Sequence, residues 1–202
     1  SKAGMFMRKY ELNHVVDMDL SRCFDTLNHD LIIKFMKKRV TDGSVLGLVE
    51  KFLKSGIMNR NVIEEAVEGS PQGGVISPLL ANIYLNEFDQ HMMKRNYRII
   101  RYADDILILC ESQRSAHHAL EVATAYLEKE LKLTVNKEKT HITDSRRGVK
   151  FLGVEIYSTY TRIQDKKIRA FKEKVKGLTK KSQGMNLEMV IKRLNPVLRG
   201  FA

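Results

Sequence analysis

The 202-residue chain has only two cysteines and three prolines, and no apolar run of membrane-spanning length. Cys23 and Cys110 stand alone, without the paired spacing of a zinc site. Two isolated thiols point to a reducing compartment, either a bacterial-type cytoplasm or an organellar matrix. No stretch approaches the ~18 apolar residues of a transmembrane helix, and the N-terminus lacks the apolar core of a signal peptide. There is no low-complexity tract and no internal repeat. Hydrophobic content of 43 % excludes intrinsic disorder, and a chain of this length buries a core without staples. Positive charge is in excess, at a net +11. Residues 161–202 hold 12 basic and 3 acidic side chains, a net of +9, whereas positions 1–160 hold 23 and 21, a net of +2. A nearly balanced body with a basic appendage suits a polyanionic partner, nucleic acid before membrane.

Periodicity organises the body into alternating strands and helices. From His14 to Leu20, Val16, Met18 and Leu20 fall on one face and Val15, Asp17 and Asp19 on the other, the period of a strand. A helix opens at Asn28 or Asp30, with His29-Asp30 part of its cap, and a second starts at Ser44 as N-cap and stops near Gly56. Arg60 to Val67 reads as a strand or hairpin arm, and Gly69 to Gly74 as a loop. Ser77-Pro78 has the form of an N-cap followed by proline at the first helical position. Arg98 to Cys110 is apolar on both sides of Tyr102-Ala103-Asp104-Asp105, the pattern of a hairpin with acidic residues at its turn. An amphipathic helix is expected over 116–131, and short strands over 133–135, 141–143 and 150–157. In the appendage, Ile168, Phe171, Val175 and Leu178 define a helix with basic outer faces. Gly184 breaks it, and a last helix runs from Leu187 with a kink or restart at Pro196. The class is α+β, with a mainly antiparallel sheet packed on helices and a helical C-terminal segment.

Chemistry concentrates at two strand ends. Asp19 ends the first strand, and Asp104 with Asp105 lies between two others, far along the sequence. Carboxylates gathered on a rigid sheet repel one another unless protonated or bridged by cations. Hard oxygen donors of this type suit Mg²⁺, and two such ions would serve an in-line phosphoryl displacement. Asp17 shares the face of Asp19 and reads as a solvated or structurally paired carboxylate. His117 and His118 are adjacent on a helix, point in different directions and do not chelate together.

The run Asp19 to Asp25 with Phe24, then Ser70-Pro71-Gln72-Gly73-Gly74, Tyr102-Ala103-Asp104-Asp105, Asn136-Lys137-Glu138-Lys139-Thr140 and Phe151-Leu152-Gly153 resembles the ordered palm motifs of reverse transcriptases. The Pro-Gln-Gly-Gly and Tyr-Ala-Asp-Asp forms are most similar to those of group II intron-encoded reverse transcriptases, also called maturases. Leu194 to Phe201 resembles the passage into the thumb, or maturase, region, where the family usually has Trp at the position of Phe201.

The resemblance implies a palm over residues 1–160 and a basic helical connection, the start of the thumb, over 161–202. It implies that Asp19, Asp104 and Asp105 are catalytic and, with the Leu20 carbonyl, hold two Mg²⁺ ions, for which Mn²⁺ is a possible substitute. Phe24 would exclude a ribose 2′-OH. Gln72 and Gly73 would lie by the incoming nucleotide, where a Cβ would obstruct the backbone. Lys139, with Lys137 as a competitor, would protonate departing pyrophosphate. Phe151, Leu152 and Gly153 would hold the primer end. The implied partners are an RNA template with a DNA primer, deoxynucleoside triphosphates and group II intron RNA, with no membrane; no oligomeric state is implied. The competing readings are a non-catalytic RNA-binding splicing cofactor and a reverse transcriptase of another lineage, retron or diversity-generating. The family carries a fingers region before the first palm aspartate. Asp19 stands close to the start of the chain, so a piece of a longer enzyme is expected, able to fold and bind metal yet a poor polymerase by itself.

Overall fold

The computed structural model describes residues 2–54, 57–59, 62–64, 69, 75–180, 184 and 186–201. In chain order these form α1 (Lys2–Tyr10), β1 (His14–Met18), a 3₁₀ turn (Cys23–Asp25), α2 (His29–Met36), α3 (Gly43–Lys54), β2 (Ile57–Asn59), β3 (Val62–Glu64), α4 (Ser77–Lys94), β4 (Arg98–Tyr102), β5 (Asp105–Cys110), α5 (Gln113–Ala125) and a π-helical turn (Tyr126–Glu130). Then follow β6 (His141–Asp144), a 3₁₀ turn (Ser145–Arg147), β7 (Val149–Phe151), β8 (Val154–Ile156), β9 (Thr161–Ile163), α6 (Asp165–Leu178) and α7 (Leu187–Phe201). No helix among the described residues is long and apolar enough to cross a membrane.

The centre is a four-stranded sheet in the order β4-β5-β1-β6, antiparallel at every pairing. Its alternation divides the core in two. Val16, Met18, Ile106, Ile108 and Cys110 join the main cluster with apolar residues of α2, α3, α4 and α5. Val15, Leu107 and Leu109 face the other way, under Ala3 and Met7 of α1 and Val149, Phe151 and Ile156 of the β7–β8 hairpin. In α5, Ala116, Ala119 and Ala123 are fully buried. Spacings of three and four place them on one stripe, and their small size lets the helix lie close to the sheet.

Tyr84 is fully buried in α4 and donates its hydroxyl to the Leu131 carbonyl at 2.6 Å, tying α4 to the chain after the π-helical turn. Tyr84→Phe is expected to deprive that buried acceptor of this donor and lower stability by about 1–2 kcal/mol, read as a fall in the urea midpoint. An unchanged midpoint would show that the bond contributes nothing net.

The sequence-level boundaries shift by a few residues. Helix α3 starts at Gly43, and its cap is Asp42, whose carboxylate accepts from the Ser44 amide at 2.8 Å. Helix α4 includes Ser77, which is buried and follows Ile76 as cap, with Pro78 in the first turn. Residues 133–135 form no strand and contribute one bridge, Leu20 to Val135. Helix α7 passes through Pro196 without restarting. Helix α1 and strand β9 add to the expected elements.

Candidate active site

Antiparallel pairing of β1 with β5 sets Met18 opposite Ile106 and Asp17 opposite Leu107. The end of β1 therefore meets the start of β5. Asp19, just beyond β1, and Asp104-Asp105, at the head of β5, come to the same end of the sheet despite their separation in sequence.

Tyr102 and Asp105 close the β4–β5 hairpin, leaving Ala103 and Asp104 as its turn. Ala103 has a left-handed φ of 53°, a conformation that costs a non-glycine residue about 1–2 kcal/mol. Arg101 holds the turn there. Its Nη1 donates to the Ala103 carbonyl at 2.9 Å and to Asn82 Oδ1 at 3.0 Å. Its Nε and Nη2 grip Asp89 at 2.9 Å and 2.6 Å. Sequence reasoning missed this clamp. The available signal was a second arginine, Arg101, after Ile99 and Ile100 in the strand, with Asn82 and Asp89 two turns apart on one helix face.

Asp19 is held from the segment after the π-helical turn. Its carbonyl accepts from the Asn136 amide at 2.9 Å, its amide donates to Thr140 Oγ1 at 3.3 Å, and its Oδ2 accepts from Asn136 Nδ2 at 3.2 Å. The Lys139 ammonium pairs with the same Oδ2 at 3.2 Å. Of the two competing lysines, Lys139 is therefore the one paired with Asp19. Ser21 donates to the Thr134 carbonyl at 2.9 Å, so the bridge leaves the carbonyl of Leu20 outside the two bonds that flank it.

Asp17, Asp19, Asp105, Lys139, Lys150, Phe151 and Leu152 line one cleft. Asp17, read as a structural carboxylate, belongs to it while lying 4.0 Å from His141 Nε2. Phe151 is buried, and Leu152 is exposed at the tip of the β7–β8 turn. Leu152 and Gly153 have φ of 49° and 80°, both left-handed, as in the turns that match strand twist in tight hairpins. The turn is tied to α6, because the Gly153 carbonyl accepts from the Gln164 amide at 3.2 Å and the Leu152 carbonyl from Lys167 Nζ at 3.3 Å. A Cβ on Gly153 would overlap the Lys167 side chain.

The electrostatics mark a site short of positive charge. Burial, with the neighbouring charges of Asp105 and Asp19, lifts Asp17 above the ordinary carboxylate range against the pull of His141. Desolvation, then the charges of Asp104 and Asp19, raises Asp105 against the pull of Lys139. Burial and the Asp104 carboxylate push the Cys23 thiol up to about 12, so it stays protonated. All-oxygen donors in mutual repulsion fit a hard divalent cation. Among the described residues no three ligating groups converge on one point as they stand; Asp19 is paired with Lys139 instead.

Phe24 sits in the 3₁₀ turn after Asp19, half-buried against the main core. Gln72 and Gly73 lie outside the described residues, but Gly69, at the start of their loop, is anchored against Asp25 and Leu27. It has φ 89°, its amide donates to the Leu27 carbonyl at 2.8 Å, and a Cβ there would stand 2.6 Å from the Asp25 carbonyl oxygen. His29, expected in a cap, bonds the Gly69 carbonyl at 2.6 Å. His118 bonds the Tyr97 hydroxyl at 2.6 Å.

The family model "Reverse transcriptase (RNA-dependent DNA polymerase)" matches residues 4–156, and "Group II intron, maturase-specific domain" matches residues 168–202. Protein YkfC of Escherichia coli is 34 % identical over 173 residues, covering 69 % of this chain and 45 % of that protein. The group II intron-encoded protein LtrA of Lactococcus lactis is 24 % identical over 205 residues, covering 70 % and 34 %. A telomerase from Candida albicans, solved with a fragment of telomeric RNA, superposes with a TM-score of 0.65 at 14 % identity, covering 98 % of this chain and 40 % of that one. The chain thus spans less than half the length of these relatives.

Proposed function

The chain belongs to the reverse transcriptase family, with the group II intron-encoded members that carry a maturase domain, and on that premise we propose that it is the palm and thumb start of an RNA-directed DNA polymerase. The observation that carries this reading is the β1–β5 pairing, which brings Asp19 and Asp104-Asp105 to one sheet end, with Asp19 and Asp105 sharing a cleft with Lys139 and Leu152 that Asp104 does not line. The reaction is attack of a primer 3′-OH on the α-phosphorus of a deoxynucleoside triphosphate, releasing pyrophosphate. Bound Mg²⁺, in two ions, supplies the charge that stabilises the entering and departing oxygens. Asp19, Asp104, Asp105 and the Leu20 carbonyl hold it. Lys139, whose ammonium pairs with Asp19 at 3.2 Å, is the group that would donate its Nζ proton to the departing pyrophosphate. In this reading the ring of Phe24 blocks a 2′-OH, Gln72 and Gly73 take the nucleotide-binding role that the Pro-Gln-Gly-Gly motif implies, and Phe151-Leu152-Gly153 supports the primer end.

Residues 1–160 form the palm and 161–202 the start of the thumb. The two family matches fall on either side of this division, and the charge changes with it. Helices α6 and α7 pack on each other through Phe171 and Phe201, whose rings stack at 3.9 Å, and they bury no residue fully. Apart from Lys167, which is bonded to the Leu152 carbonyl, their exposed lysines and arginines are placed to meet duplex phosphates, which adds affinity without sequence choice. The wider activity is reverse transcription and assisted splicing of a group II intron RNA, in a cytoplasm or organellar matrix.

Primer extension on a primed RNA template tests the reading, run on the chain and on the longest natural polypeptide containing it. The expected result is Mg²⁺-dependent cDNA synthesis from deoxynucleotides, with Phe24→Val raising ribonucleotide use by about tenfold or more, the scale of one relieved steric clash. RNA binding without any extension would favour the splicing-cofactor reading. Extension with unaltered sugar selectivity in the variant would remove Phe24 from the nucleotide site.

A further inference from the structure

We propose that Asn136 is a positioning residue that sets the Asp19 carboxylate and decides which of its oxygens faces a divalent cation. This rests on the assignment of Asp19 as a metal ligand and goes one step beyond it.

Asn136 bonds the same aspartate twice, through its main chain to the Asp19 carbonyl at 2.9 Å and through its side-chain amide to Asp19 Oδ2 at 3.2 Å. The orientation of that amide is itself determined. Asn136 Oδ1 accepts from the Glu138 and Lys139 amides at 3.2 Å and 3.3 Å, so the NH₂ group is the one left to face Asp19. Both side-chain donors to Asp19, Asn136 and Lys139, converge on Oδ2. Among the described residues, Oδ1 accepts from no group. One carboxylate oxygen is held and the other is presented.

The two donors differ in how firmly they are placed. Lys139 has a flexible four-carbon stem and a side chain 68 % exposed, so its ammonium leaves Asp19 when a metal ion takes over the compensating charge. Asn136 is half-buried and locked by its own turn, so its hold on Oδ2 persists when Lys139 departs. Its removal should therefore weaken cation affinity rather than the chemical step.

A merely structural role, capping the turn of residues 136–140, is separable by the choice of substitution. A serine at 136 still accepts from the amides two and three residues on, but it is too short to reach Asp19. Alanine loses both functions. Mn²⁺ is titrated into the chain and followed by electron paramagnetic resonance, with Asp19→Asn marking the site and thermal melting reporting the fold. Asn136→Ser is expected to melt with the unaltered chain and to bind Mn²⁺ about tenfold more weakly, the ~1.4 kcal/mol of one charge-assisted hydrogen bond. Asn136→Ala is expected to match that loss and also to melt lower. In primer extension the serine variant should need more Mg²⁺ and recover its kcat at saturation. Unaltered Mn²⁺ affinity in Asn136→Ser, where Asp19→Asn abolishes binding, would overturn the inference alone. If the unaltered chain shows no Asp19-dependent binding, the metal-site reading falls and takes the inference with it.

Discussion

Asp104→Ala is expected to abolish Mg²⁺-dependent cDNA synthesis, by a factor of about a thousand or more, which is ~4 kcal/mol of barrier. Asp104 sits in a two-residue turn and is half-buried; the core strands on either side do not depend on its side chain. Its charge instead raises Asp105 and Cys23. Removing it relieves repulsion, so the variant should melt at the same temperature as the parent or slightly higher. Lost activity with undiminished stability is the signature of a group retained for chemistry against the interest of the fold. Primer extension and thermal melting on one preparation decide the matter. Undiminished extension would sink the catalytic assignment, and a large fall in melting temperature would show that Asp104 has a structural duty instead.

Arg101→Met should produce the largest loss of stability from a single polar substitution near the site. The guanidinium satisfies Asp89, Asn82 and the Ala103 carbonyl together, and the Arg101 and Asp89 side chains are 10 % and 19 % exposed. Methionine fills a similar volume but leaves the Asp89 carboxylate without its partner in a poorly hydrated place. Loss of one member of such a pair costs about 2–4 kcal/mol, and for a chain of this size that lowers the melting temperature by roughly 5–15 °C. Ala103 also loses the donor that holds its left-handed conformation, so Asp104 is less well placed and kcat falls along with stability. Arg101→Lys keeps the charge without the fork and should lie between the two. A methionine variant that melts with the parent would show that the turn is held by its own strands.

The sheet was legible because its strands alternate. Val15 against Val16 and Met18, and the apolar runs flanking Tyr102 to Asp105, mark both faces and the hairpin turn. That Asp19 and Asp104 reach the same end of the sheet was not legible from spacing, since it depends on β1 pairing with β5 across the intervening α2, α3 and α4. Motif order alone suggested it. Which of Lys137 and Lys139 pairs with Asp19 was likewise beyond the sequence, because it follows from the phase of the turn that Asn136 caps. Helix α1 escaped notice for a different reason. Its buried side chains are few, Ala3 and Met7, and nine residues make a weak helix signal until the second face of the sheet is seen to need covering. The cap of α3 was misplaced because Asp42 and Ser44 are both good cap residues, and only backbone direction selects between them.

The bonds from Gln164 and Lys167 to the β7–β8 turn have a mechanical consequence. Helix α6 is 14 residues long and so reaches about 21 Å from its first turn. With Gln164 fastened to Gly153 and Val154, the helix is a lever whose fulcrum lies at the turn beside the cleft. A small change of angle at Gln164 is a wide sweep at Leu178, while Leu152 hardly moves. The basic face of α6 can therefore change its place without dragging the point of attachment away from the carboxylates.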